Sequence, residues 1–227
     1  MSQNNTDSTS EPYSNYFNRN IWGNVFLLSG GIVLFFVGII LYGIIINMRE
    51  TPLKEVMKNK GIEKINSPNI IIERHNYSLS LFDDTLLIKS YRAVFGQNVK
   101  QAKTKKGDLA TPVGEYKICA IDTVSKYHKF FRLNYPNISD AMTGLNKGII
   151  SQQQFDKLKY EFYYNNCPKL NTNLGGNIGI HGIGKLNFIF KNLPFVFNWT
   201  NGSIAISDND IDELYSVIKK GTKVVIK

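Results

Sequence analysis

The sequence predicts a mainly β domain of about 160 residues with a few helices, preceded by a single transmembrane helix. Three observations carry this. Residues 20–48 hold no charged side chain, and Arg19 and Arg49 bracket that run. Beyond residue 66, short apolar or alternating segments recur between turn residues, the period-2 mark of strands. Only two later stretches open with a helix-start pattern. Whole-chain averages conceal the division: 43% hydrophobic residues and a net charge of +9 over 227 residues are ordinary values. They still exclude a fully disordered chain. Two Cys exclude a disulfide-stapled miniprotein or a multi-zinc module.

Residues 1–20 are polar and Ser/Asn-rich, the composition of a disordered tail. Residues 21–46 (IWGNVFLLSGGIVLFFVGIILYGIII) form the membrane segment. As a helix it would be roughly 39 Å long, enough for the hydrocarbon core with some tilt. A cleaved signal peptide fits less well, because the apolar run is long and no small-x-small site follows it. Residues 47–66 alternate Lys and Glu and read as a charged stalk, with a helical turn opened by Thr51-Pro52. The domain then occupies residues 67–227. Flanking charge, Arg19 against Arg49, Lys54, Lys58 and Lys60, favours a cytoplasmic domain when taken alone.

Within the domain, strands are expected at Asn69–Glu73, Ser78–Phe82 and Thr85–Phe95, with an Asp83-Asp84 hairpin turn between the last two. Gly96–Pro112 is a Lys-rich loop, and Gly114–Ile121 is another strand. A helix is expected over Ser151–Tyr163, where Ser151 and Gln154 form a capping-box pattern. A second begins at Ser207, with Asp210 three residues on and Ile211, Leu214, Tyr215 and Ile218 on one face. Thr222–Ile226 is the final strand.

Of the three His residues, His75 and His128 lie in polar contexts. His181 ends an apolar alternation among glycines (Gly176-Asn-Ile-Gly-Ile-His-Gly-Ile-Gly184), where Gly lets a ligand or backbone approach. A second cluster, Asn198-Trp-Thr-Asn-Gly-Ser-Ile-Ala-Ile-Ser207, places Ser203 directly after Gly202 at a polar turn. That geometry suits an exposed nucleophile whose neighbouring N–H groups converge on an oxyanion. Cys119 reads as a buried strand residue and Cys167 as a free loop thiol. No metal-ligand spacing is present, so no metal or cofactor is expected. The basic loop Val99–Gly107 reads as a solvated charge run, with no accompanying nucleic-acid module.

Together these segments resemble the L,D-transpeptidase catalytic family, also called YkuD-like. Gly107-Asp-Leu-Ala-Thr-Pro-Val-Gly-Glu-Tyr116 matches the family's Gly-Asp-x-x-Thr-Pro-x-Gly-x-Tyr pattern. Leu174–Gly182 matches the strand bearing its catalytic His, and Asn198–Ser207 falls where the family has Gly-Cys before an apolar strand and helix. The resemblance implies a β-sandwich-like fold outside the cytoplasmic membrane, with residues 1–20 inside the cell. It implies peptidoglycan stem peptides as partners and acyl transfer from a tetrapeptide stem to an amine, releasing D-Ala. His181 would be the base and Ser203 the nucleophile, with Gly202, Asn201, Thr200 and Gly182 as oxyanion or substrate-positioning residues. Three departures stand out. Ser203 occupies the place of the family's Cys. Asn201 stands where many members have His, and Ala205 where many have Arg. A Ser hydroxyl supplies almost no alkoxide, so His181 must take its proton during attack. Two alternatives therefore stay open, a binding protein that has lost the chemistry and an L,D-carboxypeptidase that hydrolyses the same bond.

Overall fold

A computed structural model of the chain describes residues 14–48, 50–165, 167–168, 171–193 and 197–227. Helix α1 (Ser14–Asn47) begins seven residues before the expected membrane segment. The rest of the predicted tail, residues 1–13, lies outside the described residues. Within α1, Ile21–Ile45 is a 25-residue stretch of mean hydropathy 2.6, apolar and long enough to cross a membrane. Its large side chains, Trp22, Phe26, Leu27 and Leu34 among them, are exposed around the helix. The Ser29 hydroxyl donates back to the Phe26 carbonyl at 3.0 Å, which satisfies it within its own helix.

The segment expected as a stalk packs against the domain. Helix α2 (Leu53–Asn59) buries Leu53, and Ile65 joins the same core cluster. The Leu53 N–H donates to Glu213 Oε1 at 3.0 Å, and Lys89 pairs with the other carboxylate oxygen at 2.6 Å. Lys54, Glu55 and Lys58 face outward, so a charge-rich sequence conceals one apolar edge.

Strands β1 (Pro68–Glu73), β2 (Ser78–Asp83) and β3 (Leu86–Arg92) form an antiparallel meander. Asp84, at φ 53°, makes the β2–β3 turn at the expected Asp-Asp pair. Strand β4 (Gly114–Ser125) runs past its predicted end and turns into β5 (His128–Leu133), a strand the sequence did not suggest. Its Lys and Arg residues mask the alternation of Phe131 and Leu133, both fully buried.

Helix α3 (Ile138–Asn146) opens on a capping box between Asn137 and Asp140, also missed in the sequence. Helix α4 (Gln152–Asn165) starts as expected: Gln154 N–H donates to Ser151 Oγ at 3.3 Å, and Ser151 N–H donates to Gln154 Oε1 at 3.0 Å. Then follow β6 (Gly179–His181), a short helix α5 (Asn187–Lys191) and β7 (Ile204–Ala205). Helix α6 (Asp208–Tyr215), capped by Ser207, and β8 (Lys223–Ile226) complete the chain.

Among the described residues, eight strands form one mixed sheet, ordered β3-β2-β1-β8-β4-β5-β6-β7. It curls until its ends meet. Val94 and Ala205 exchange two backbone hydrogen bonds, each of 2.9 Å, joining the chain just after β3 to β7. One core therefore collects Ile70 and Ile72 from β1, Leu79 and Leu81 from β2, Ile180 from β6 and Ile204 from β7. A smaller cluster of Ala141, Ile150, Phe155, Leu158 and Leu174 lies between α3 and α4.

Both cysteine expectations are corrected. Cys119 and Cys167 form a disulfide, with Cα atoms 5.2 Å apart. Tyr116 and Ile118 take the inward positions of β4, so Cys119 is only half-buried, at the register break between Ile118 and Ala120. There it meets the loop after α4. A pairing across 48 residues depends on how α3 and α4 fold back, which no spacing reveals. Cross-linking so long a loop should contribute about 2–4 kcal/mol to stability. Thermal unfolding of the Cys167→Ala variant, and of the reduced protein, should show a clearly lowered Tm. An unchanged Tm in both would contradict this.

Candidate functional site

The site lies on the outer face of the β5–β6–β7 end of the sheet. Ile180 and Ile204 are paired and point into the core. Strand alternation therefore turns Gly179, His181, Ser203 and Ala205 to the opposite face. His181 pairs with Ala205, so Ser203 lies diagonally from it, beside Gly179. The sequence held these two residues in separate motifs, and the parallel register brings them onto one surface.

The serine turn is braced by its neighbours. Thr200 Oγ1 accepts from Gly202 N–H at 3.2 Å and donates to the Ser203 carbonyl at 2.5 Å. Gly202 has φ 120°, and a Cβ there would lie 2.6 Å from the Ala110 carbonyl oxygen. Only glycine fits that conformation and that approach. Gly202 N–H is thus already engaged. Of the two amides expected to face an oxyanion, the Ser203 N–H is the one that carries no hydrogen bond among the described residues. Ser203 Oγ accepts from Gly179 N–H at 3.3 Å. Asn201 is exposed and lines an adjoining hollow.

His181 is 2% exposed. Tyr127 stacks on it with ring centroids 4.5 Å apart, and Phe130 and Trp199 lie at 6.0 and 5.8 Å. Its Nδ1 lies 2.6 Å from the Gly182 carbonyl oxygen. A carbonyl only accepts, so Nδ1 carries the proton and Nε2 of the neutral ring keeps a lone pair. Burial lowers the His181 pKa below its ordinary value, and Lys126 adds to this. The Gly182 carbonyl and Asp208 oppose the shift without reversing it.

The glycines after His181 admit backbone and protein side chains. A Cβ on Gly182 would collide with Asp208 Oδ1 and lie 2.8 Å from the Tyr127 carbonyl oxygen. Gly182 N–H donates to the Lys129 carbonyl, so this residue offers its carbonyl to the site and not its amide. Asp208 accepts from Ile183 and Gly184 N–H at 2.8 and 2.9 Å, fixing the turn beyond the histidine. The Cβ of His128 flanks Gly182, but its Nε2 is engaged elsewhere, 2.7 Å from Asp212 Oδ1.

Most of the basic loop is solvated as expected, with Lys100, Lys105 and Lys106 exposed, but Lys103 turns inward. Lys103 and Asp108 form an ion pair of 2.8 Å and are both largely buried. Asp108 also accepts from the amides of Thr104, Lys105 and Ala110. Burial works to raise the Asp108 pKa, but Lys103 and these amides outweigh it, and the carboxyl sits below its usual range. Tyr127, Trp199, Arg132, Asp208 and Asp108 were not singled out in the sequence. The Asn-Trp-Thr triplet and the Gly-Asp pair were the available signals for Trp199 and Asp108.

The fold is thus that of a β-rich protein whose curled mixed sheet carries a histidine on β6 and a glycine-preceded serine just before β7. The model of the YkuD family, the L,D-transpeptidase catalytic domain, matches residues 67–226, and the chain belongs to that family. Among curated proteins, none matches the sequence.

Similar solved structures include the helical cell shape determining protein Pgp2 from Campylobacter jejuni, at 17% identity and TM-score 0.45, covering 77% of this chain and 55% of that one. An L,D-transpeptidase from Xylanimonas cellulosilytica shows 12% identity and TM-score 0.41, covering 78% and 70%. Bd1075 from Bdellovibrio bacteriovorus shows 19% identity and TM-score 0.44, covering 72% and 48%. The chain spans about half the length of Pgp2 and Bd1075.

The Gly202 turn gives a direct test. A Gly202→Ala variant should lose about 1–3 kcal/mol of stability, because alanine is strained at this φ and meets the Ala110 carbonyl. Chemical denaturation of the two proteins measures it, and equal midpoints would refute the assignment.

Proposed function

We propose that the protein catalyses L,D-transpeptidation on peptidoglycan stem peptides. The observation that carries this reading is the diagonal placement of His181 and Ser203 on one face, with His181 Nδ1 held by the Gly182 carbonyl and Nε2 left as an acceptor. Ser203 Oγ attacks the amide carbonyl before the terminal D-Ala, and its proton passes to His181 Nε2. The Ser203 N–H stabilises the oxyanion. The C–N bond breaks, His181 returns the proton to the leaving amine, and the rest of the stem remains as an ester on Ser203. An acceptor amine then attacks the ester, giving a new amide and restoring the hydroxyl. Thr200 holds the turn, and Asn201 contacts substrate from the rim.

A second reading, a stem-binding protein without turnover, is favoured by a different observation. Ser203 Oγ accepts from Gly179 N–H, and no hydrogen bond joins it to His181. Hydrolysis by water in place of the amine would make the same site a carboxypeptidase.

The assay is incubation with tetrapeptide muropeptides and analysis for cross-linked dimers or free D-Ala. The transpeptidase reading expects product from the Ser203 protein, a faster rate from Ser203→Cys, and none from His181→Ala. No product from either nucleophile would leave the binding reading. Because the base acts neutral and burial lowers its pKa below the ordinary ~6.5, the midpoint of the acid limb of the rate should lie below pH 6.5. A drop centred above pH 7 would be inconsistent with His181 in this role.

The location also belongs to this proposal. Disulfides persist in oxidising compartments, so the Cys119–Cys167 bond favours a single-pass protein of the bacterial cytoplasmic membrane with its domain on the outer side. External protease should then digest the domain in intact spheroplasts. A protected domain would place it in the cytoplasm and count against a wall substrate.

A further inference from the structure

We propose that Arg132 binds the free carboxylate of the C-terminal amino acid that leaves during acyl transfer, making the site selective for peptides ending in a carboxylate. This rests on the function proposed above and adds a specificity residue to it.

The sheet register supplies the position. On β5, Arg132 pairs with Gly179, and Gly179 lies beside Ser203, the residue just before β7, to which its N–H donates at 3.3 Å. Residues opposite one another share a face, so Arg132 and Ser203 stand on the same surface, about 10 Å apart at Cα across two strand spacings. Gly179 puts no side chain between them. A Cβ there would meet the Phe131 carbonyl oxygen at 2.5 Å and the Phe130 ring at 2.7 Å. An extended arginine can cover most of that gap.

Two hollows meet at this residue, both lined by Arg132 and Asn177. The larger, about 610 Å³, extends past Asn201 and Asn171. The smaller, about 450 Å³, reaches Tyr127 and Phe130, beside the histidine that protonates the leaving amine. The leaving amino acid belongs on that side, with its carboxylate one residue from the scissile carbonyl and within reach of the guanidinium.

Four cations line these hollows, and three are engaged. Lys103 pairs with Asp108, Lys106 donates to Asn171 Oδ1 at 3.3 Å, and Lys126 lies 4.6 Å from the centre of the Tyr127 ring. Arg132 forms no ion pair among the described residues, and its buried Nε has no hydrogen-bond partner. An unsatisfied buried donor weakens the free protein, while a forked cation without a partner suits a planar carboxylate.

The test uses the full chain in detergent micelles and two synthetic stem tetrapeptides, one ending in the D-Ala carboxylate and one in its carboxamide. Calorimetric titration should show the acid bound roughly 10–100-fold more tightly than the amide. Arg132→Gln should bring the acid down to the affinity of the amide and leave the amide unchanged. Arg132→Lys should recover part of the difference. A variant that keeps the preference, or that loses affinity for both peptides equally, would overturn the assignment. Binding needs no turnover, so the two ideas fail separately. An Arg132-dependent preference without acyl transfer from either Ser203 or Ser203→Cys would overturn the transpeptidase reading alone. Turnover of both peptides at equal rates and affinities would overturn the carboxylate assignment alone. A protein that binds neither peptide would overturn both.

Discussion

Strand β7 is two residues long, and the arrangement of the site depends on how it is held. Ala205 gives both its backbone groups to Val94 on one side, and Ile206 N–H donates to the His181 carbonyl on the other. So short a strand has no register of its own. It is located by the closing edge of the sheet and by the buried side chains of Ile204 and Ile206 beneath it. Because side chains in a strand alternate, a slip of one residue would turn Ser203 inward and Ile204 outward. Burial of isoleucines in the core and presentation of Ser203 on the surface are therefore one constraint.

Around this pairing the polar groups form two braces. Thr200 closes the turn before the serine, and Asp208 closes the turn after the histidine. Asp208 is the first residue of α6 and is itself tied to Asn187 through its N–H. The imidazole is held by an aromatic surround and by one carbonyl. Dry surroundings and a single accepting partner keep the ring neutral and fix which nitrogen bears the proton.

Local chemistry made much of the fold legible. The charge-free run, the Asp83-Asp84 turn, the Ser151–Gln154 box and the Ser207 cap each depend on residues close in sequence, and each lies where the pattern puts it. Strand β5 did not show, because Lys129 and Arg132, one on each face, interrupt its apolar pattern. The segment from Leu53 to Ile65 did not read as packed, since its buried apolar residues are spaced among lysines and glutamates. In the site, His181 and Ser203 stood out through their glycines. Tyr127, Phe130, the Asp208 brace and Arg132 come from β5, its turn and α6, and they converge with Trp199 only once the sheet has curled. The disulfide is of the same kind, a contact set by tertiary folding and not by spacing.

The docking of α2 has a geometric consequence. With Ile21–Ile45 in a bilayer, helix α1 ends at Asn47, and the chain is fixed to the domain again at Leu53. The five residues between can extend to about 18 Å at most. In that placement so short a leash would confine the domain to the shell next to the lipid headgroups, and any macromolecular ligand would have to come to it.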